Sequence, residues 1–407
     1  MKFSLINKLS LSVIIGFLII GCQSDGKKNI KSDINIPQLL ERSDKTKLGK
    51  EWDFVQNFYA DQKTSLANDG ESSEAYLQLA ELYIREARVT GEHGHYYPAA
   101  LEMVEKVLNK KEQDPDIRFR ALVTKAGVQL SLHEFSESLI TGKKALALNG
   151  RNAQVMGVLV DCYVELGQYD KAVKIADEMS TTKPDIRSYS RISYLREIHG
   201  DVDGAKAALK LAVESGFPGY EETAWAMLTL GDLYKRYGDQ KTAQKIYNEI
   251  LIVREDYPFA VAALGDIEFD KGNLKEAKKI HEEAIDIIPE VGFYVTIAHV
   301  LKKQDKTEAL DSIIKEIWLM LEDDVQAGHN MNLEYADIYL NILDNKDKAL
   351  EYAQMEYDKR PENIDVNRLL AKIYLAKEDK EKAKVHFEKA SVTGSKHPEL
   401  LELKNKL

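Results

Sequence analysis

Two histidines one residue apart, His93 and His95, are the side chains of this sequence whose spacing is best suited to binding a metal ion. They could share a zinc ion, but a zinc site takes three or four protein ligands. No third or fourth ligand is evident nearby in the sequence. We therefore expect no bound metal. We interpret residues 89–98 as an inserted loop that covers a hydrophobic face or binds a partner.

Catalytic motifs are absent from the sequence. It has no glycine-rich phosphate loop, no nucleophile elbow and no zinc-protease helix motif. The acidic pairs Glu282–Glu283 and Asp323–Asp324 fall on predicted helix surfaces, where solvated carboxylates are usual. We interpret Cys162 as a packed small side chain and not as a nucleophile. The sequence therefore predicts a protein that is not an enzyme and has no cofactor.

The second cysteine, Cys22, ends an amino-terminal pattern of another kind. Two lysines precede an apolar run over residues 9–20, which is shorter than the ~20 residues of a spanning helix and is typical of a secretory signal. Residues 19–22, Ile-Ile-Gly-Cys, resemble a bacterial lipobox, in which the cysteine is acylated after cleavage. The resemblance implies a signal peptide over residues 1–21 and lipid attachment at Cys22. An ordinary signal peptide or an uncleaved anchor is the alternative.

A localisation follows from the same resemblance. Acyl chains on Cys22 would anchor the chain stably to a membrane of the bacterial cell envelope. Gln23 stands where an aspartate would favour the inner membrane, so similarity to enterobacterial sorting favours the outer membrane. Residues 22–47 are polar, and we expect them to form a flexible tether.

The composition is that of a folded, helical protein. Of the 407 residues, 44% are hydrophobic and 30% are charged, and glycine and proline are scarce. The formal net charge is -11 and no basic block occurs. Nucleic acid is therefore not expected as a partner.

Small residues recur about every 34 residues, which is the period of a helical repeat. One series comprises Ser138, Ala172, Ala205, Ala243, Ala277, Ala309, Ala349 and Ala383. A second series runs ahead of it through Ala126, Val160, Ser193, Gly231, Gly265, Ala298 and Ala371. Two antiparallel helices pack closely where facing residues are small, so the series predict stacked helical hairpins. Four extra residues around 217–221 and a lengthened seventh unit depart from the period.

The repeating unit is clearest over residues 154–184. Apolar residues at helical spacing are followed by a break at Gly167, a second helix through Tyr169 and Ala172, and a stop at Pro184. This order resembles the tetratricopeptide repeat. The chain as a whole is similar to bacterial tetratricopeptide-repeat lipoproteins. That resemblance implies an all-α, right-handed superhelical solenoid of about nine helix-turn-helix units.

The resemblance also implies the domain organisation. The array covers residues 72–395. Capping helices are expected over residues 48–68 and 396–407, because the open ends of a solenoid would expose its core.

In arrays of this family the first helix of each unit lines a concave groove, and this implies which residues a partner would meet. In the fourth and fifth units these positions include Arg187, Arg191, Tyr194, Trp225, Asp232 and Arg236. Tryptophan, tyrosine and arginine dominate binding hot spots, so we predict a partner-binding groove here. Solvated side chains that form local ion pairs are the alternative.

The resulting functional prediction is a non-catalytic scaffold or adaptor, held in the cell envelope by its lipid. Its partner is an unidentified protein or peptide. The alternative is a nutrient-binding lipoprotein that resembles SusD and presents a glycan site. That alternative calls for aromatic platforms on long loops, whereas aromatic residues make up 8% of this chain and its predicted loops are short.

Overall fold

The structure, a computed structural model, describes residues 35–407. Within that range the chain forms twenty helices and no strand, which confirms the predicted all-α class. Cys22 and the segment assigned to the signal peptide lie outside the described residues. The helices are α1 Glu51–Asn68, α2 Ser73–Thr90, α3 His93–Leu108, α4 Pro115–Ser131, α5 Phe135–Leu148, α6 Ala153–Glu165, α7 Tyr169–Thr182, α8 Ile186–Ile198, α9 Val202–Glu214, α10 Glu221–Arg236, α11 Gln240–Val253, α12 Pro258–Asp270, α13 Leu274–Ile285, α14 Val291–Lys303, α15 Thr307–Gln326, α16 Asn332–Asn341, α17 Lys346–Lys359, α18 Ile364–Ala376, α19 Lys380–Ala390 and α20 Pro398–Lys406.

Helices α2 to α19 pair in succession into nine antiparallel hairpins, which confirms the predicted solenoid of nine units. Helix α1 packs on α2 ahead of the first unit, and α20 packs on α18 and α19 after the last. A hairpin can bury its apolar face only against its neighbours, so each end of the stack needs such a helix.

The two helices of a hairpin approach each other through small buried residues. Ala243 is completely buried at this contact. Where serine takes the place of alanine, a backbone carbonyl of the facing helix accepts a hydrogen bond from the serine hydroxyl. Ser138 Oγ donates to the Ala126 carbonyl at 2.8 Å, and Ser193 Oγ donates to the Ala205 carbonyl at 2.8 Å. A buried hydroxyl without a partner would be costly, so these hydrogen bonds allow serine at an alanine position.

One residue of the first small-residue series does not lie at the contact between the two helices of its hairpin. Ala309 is exposed, because α15 instead docks through Ile314, Ile317 and Leu321. At 20 residues α15 is the longest helix among the described residues. The seventh unit is therefore lengthened as predicted, but its contact face begins further along the helix.

Residues 89–98, predicted to be an inserted loop, are largely helical, and this prediction is wrong. Gly91 ends α2 with a φ of 76°, and α3 begins at His93. Tyr96 and Tyr97 are 0% and 6% exposed, since they pack into the core of the first hairpin. The insertion thus lengthens the two helices and leaves no free loop for a partner.

Residues 35–47 belong to the folded body, so the prediction of a flexible tether over residues 22–47 is wrong for this part. The guanidinium of Arg42 is buried and donates to both carboxylate oxygens of Glu86, at 2.7 and 2.8 Å. It also donates to Glu51 at 2.8 Å. The composition of the segment is polar, but it does not reveal a buried ion pair whose partner lies 44 residues away.

Successive turns of the superhelix contact each other. His133 Nδ1 lies 2.9 Å from the Asn330 carbonyl, and Asn363 Nδ2 donates to the Glu165 carbonyl at 3.0 Å. These partners are 197 and 198 residues apart in the chain. The first four units therefore rest on the last three, and we call this junction the inter-turn contact.

Replacing Arg42 tests whether residues 35–47 are part of the fold. Arg42→Ala leaves the Glu86 carboxylate buried without its partner, so the free energy of unfolding should fall by about 3–5 kcal/mol. Urea unfolding followed by circular dichroism measures this loss. Asp44→Ala removes only an exposed ion pair with Lys47 and should cost less than ~1 kcal/mol. Equal unfolding curves for Arg42→Ala and the unaltered protein would contradict the buried pair.

Candidate functional site

Each of the three arginines of the predicted groove is paired with a carboxylate of the same chain. The pairs are Arg187 with Glu222 at 2.9 Å, Arg191 with Asp161 at 2.6 Å, and Arg236 with Glu197. All three pairs join the first helices of adjacent units. They hold neighbouring units together, and they leave no free cation among these arginines. This geometry favours local ion pairs over a site for an anionic ligand.

Two other residues of the predicted groove take part in internal contacts. Asp232 accepts a hydrogen bond from the Tyr247 hydroxyl at 2.6 Å, and burial raises the pKa of the Asp232 carboxyl. Gly231 makes room for this ring, because a Cβ at that position would collide with Tyr247. The Tyr194 hydroxyl lies 3.4 Å from Asp365 across the inter-turn contact. Both groups therefore stabilise the solenoid.

Trp225 is the more exposed of the two aromatic residues in the predicted groove. Its side chain is 52% exposed, and its ring packs edge-on to Phe259 at 5.8 Å. Phe259 packs in the same way on Phe293, again at 5.8 Å. The three residues are spaced like the repeat itself, on α10, α12 and α14. They form an aromatic row in which Phe293, at one end, is buried and Trp225, at the other end, is exposed to solvent.

The spacing of this row was available in the sequence but was not recognised there. A second exposed pair lies at a departure from the repeat period, where the sequence predicts that individual function lies. Phe217 and Tyr220 are 72% and 66% exposed, and they lie in the connection between α9 and α10. The four extra residues at this point of the repeat were its only sequence signal.

An acidic cleft of about 440 Å³ lies at the inter-turn contact. Its polar lining comprises Ser131, His133, Asp161, Glu165, Asn330, Glu334, Glu356, Arg360 and Asp365. Arg360 contacts both Glu165 and Glu356. Burial raises the pKa of Glu165 to about 7. Within residues 35–407 no cluster of histidine, cysteine and carboxylate side chains is arranged to hold a metal ion.

Several histidine side chains lie where the first unit contacts the seventh. The rings of His93 and Tyr97 stack at 5.3 Å, and both lie edge-on to His329. Burial alone would lower the pKa of His329, but the neighbouring Asp324 carboxylate raises it above its ordinary value. Burial, together with repulsion from Asp324, raises the pKa of Glu290 to about 7. This part of the inter-turn contact therefore titrates near neutral pH.

His95, which the sequence pairs with His93, serves a different contact. Its Nε2 lies 2.7 Å from the Gln38 carbonyl in the amino-terminal segment. The two imidazoles thus support separate parts of the first unit.

Nine stacked hairpins with an aromatic row that ends in solvent define a helical-repeat scaffold for protein–protein interaction. Models of the tetratricopeptide repeat match residues 141–196, 260–291 and 366–391. The chain therefore contains tetratricopeptide repeats over these residues. It is also similar to cellulose synthase operon protein C of Pseudomonas fluorescens (strain SBW25), with 24% identity over 149 residues. That match covers 34% of this chain and 11% of the relative, so most of the relative has no counterpart here.

The chain also matches solved structures at low sequence identity. The Cut9-Hcn1 hetero-tetramer of the APC/C matches 89% of this chain and 61% of its own, with 16% identity and a TM-score of 0.45. A thermophilic TPR protein of Thermus thermophilus matches 46% of this chain and 98% of its own, with 24% identity and a TM-score of 0.38. Pseudomonas aeruginosa pilF matches 59% of this chain and 100% of its own, with 12% identity and a TM-score of 0.41.

No helix within residues 35–407 combines the length and the apolar character that crossing a bilayer requires.

The raised pKa of the Glu290 carboxyl predicts that the stability of the fold depends on pH. Its folded-state pKa of about 7 lies above the ordinary 4.5, so the folded state holds the proton more tightly than the unfolded state. Its contribution to stability is complete below about pH 4.5 and is lost as the pH rises through about 7. In Glu290→Gln the fall in the free energy of unfolding with rising pH should be smaller by about 1–2 kcal/mol. This value allows for the solvent near the carboxyl.

Urea unfolding of both proteins at several pH values measures the difference. Glu283→Gln, on the exposed face of α13, is the matched control and should leave the decline unchanged. Parallel pH profiles for Glu290→Gln and the unaltered protein would contradict the raised pKa.

Proposed function

We propose that this protein is a lipid-anchored scaffold that holds a protein or peptide partner in the bacterial cell envelope and has no catalytic activity of its own. The observation that carries the proposal is the exposed ring of Trp225 at the open end of the aromatic row. A large, rigid ring offers much contact area at a low entropic cost, and tryptophan is enriched in binding hot spots.

The polar interior supports binding at the edge of the array. Inside the superhelix Arg191 is paired with Asp161, and Arg360 contacts Glu165 and Glu356. A ligand that bound to these groups would have to displace their ion pairs. The ring of Trp225 at the edge is about half exposed and has no such bond to displace, and the adjacent Arg187 is half exposed in its pair with Glu222.

The anchor is supported by the resemblance of residues 19–22 to a lipobox. Cys22 would carry the lipid after removal of residues 1–21, and Gln23 favours the outer membrane. The lipid is then the only membrane contact that the proposal requires.

Metabolic labelling tests the anchor. Cells that express the full chain with labelled palmitate should incorporate the label, and Cys22→Ala should abolish incorporation and release the protein from the membrane fraction. Cys162→Ala is the matched control and should keep the label, because that thiol is buried in the array. Palmitate that persists on the Cys22→Ala protein would overturn the proposal of lipid attachment.

Removing exposed side chains from this edge of the array tests whether the scaffold binds its partner there. Crosslinking in cells followed by mass spectrometry identifies the partner, and its affinity is then measured on purified protein. Arg187→Ala/Trp225→Ala should weaken binding by about tenfold or more. Arg151→Ala/Phe54→Ala removes an exposed arginine and an exposed aromatic elsewhere and should have no effect. Unchanged affinity of the first variant would exclude this edge.

A further inference from the structure

The connection between α9 and α10 holds two aromatic rings in solvent. Phe217 and Tyr220 pack edge-on to each other at 5.8 Å and are 72% and 66% exposed. The loop itself is fixed. Gly219 has a φ of 83°, its carbonyl accepts a hydrogen bond from Arg254 Nη1 at 2.8 Å, and the Tyr220 amide donates to the Phe217 carbonyl at 3.2 Å. The rings are therefore preorganised at no further entropic cost to the backbone.

Further exposed apolar side chains lie near the loop. Gly219 lies against the carbonyl of Val253, which ends α11 and is 46% exposed, and the preceding Ile252 is 82% exposed. Trp225 follows little more than one helical turn after Tyr220. Monomeric proteins rarely expose so many large apolar side chains together unless something binds them. We call Phe217, Tyr220, Trp225 and Val253 the aromatic edge.

Carboxylates without an ion pair lie beside the aromatic edge. Glu214 and Glu255 are exposed, Asp256 is half-buried, and none of the three is in an ion pair within the described residues. The arginines near this surface face carboxylates of their own: Arg254 is buried and held by Gly219 and Glu51, Arg187 is paired with Glu222, and Arg88 lies near Glu221. Aromatic faces also attract cations through their quadrupole. The complement of this surface is thus apolar and positively charged.

We propose that the aromatic edge binds a segment of a partner protein in which an apolar side chain is flanked by arginine or lysine. The partner's apolar side chain packs between the rings, while its basic groups lie over the ring faces and beside Glu214 and Glu255. This deepens the proposed function and rests on it, since it assumes that the array holds a protein partner. It does not depend on the lipid at Cys22.

Two other occupants fit the surface less well. A second copy of this chain, related by a twofold axis, would present the same surface with the same carboxylates, Glu214 and Glu255, and like charges in a contact cost binding energy. A bilayer with anionic headgroups would be repelled by the same carboxylates. A basic, apolar protein segment meets neither obstacle.

Two fluorescent peptides test the proposal on the purified full chain. One peptide alternates apolar residues with arginine, and the other has glutamate in place of every arginine. Fluorescence anisotropy should show binding of the basic peptide alone, and this binding should weaken with added salt. Phe217→Ala/Tyr220→Ala should raise the Kd by about tenfold or more. Glu214→Gln/Glu255→Gln should raise the Kd and reduce its dependence on salt.

Controls separate a lost surface from a lost fold. Phe54→Ala, an equally exposed aromatic on α1, should bind the peptide like the unaltered protein. Both edge variants should keep the circular dichroism and the thermal unfolding curve of the unaltered chain, since their side chains are exposed. A Kd unchanged by Phe217→Ala/Tyr220→Ala, or equal binding of the acidic peptide, overturns the proposal.

The alternative occupants give different results. A dimer that light scattering detects and that Phe217→Ala/Tyr220→Ala dissolves would overturn the proposal in favour of self-association. Cosedimentation with anionic phospholipid vesicles that the same variant abolishes would overturn it in favour of a membrane. Peptide binding that persists in Cys22→Ala protein, even where palmitate labelling fails, supports the aromatic edge independently of the anchor.

Discussion

Close approach of two helices through small side chains is the constraint on which the rest of this structure depends. Ala243 is completely buried at such a contact, and Gly231 leaves space for the ring of Tyr247. A larger residue would force the helices of the hairpin apart. Each hairpin is set at a fixed rotation to the one before it, and these rotations accumulate. After nearly 200 residues the chain meets itself, as His133 and Asn330 show.

The inter-turn contact determines which surfaces a partner can reach. Across this contact, polar side chains of the interior pair with one another. Glu165 forms an ion pair with Arg360, and the Tyr194 hydroxyl lies close to Asp365. A groove that would be open in a looser superhelix becomes a set of internal ion pairs. The surface without such partners is the aromatic edge, where Trp225 and Tyr220 remain in solvent. Recognition by this scaffold is therefore expected at the edge of the array, between its fourth and fifth units.

The candidate site was predictable in part. The repeat register alone placed Trp225 on a first helix, and the structure leaves this ring accessible. The same register placed Arg187, Arg191 and Arg236 near it, but it could not show that each arginine meets a carboxylate of a neighbouring unit. Side-chain pairs of this kind depend on distances between helices, which no local pattern contains. Phe217 and Tyr220 interrupt the period, so the periodic pattern assigned them no position.

Local helical periodicity is sufficient to predict the class of fold, the nine hairpins and the position of most of their small contact residues. It does not show that residues 35–47 are packed, that residues 89–98 extend two helices, or that α15 turns Ala309 to solvent; these features depend on the folded structure. Each of these outcomes rests on contacts between residues far apart in the chain, such as Arg42 with Glu86. Burial at those contacts overrides local polarity, and it becomes defined only when the helices have packed together.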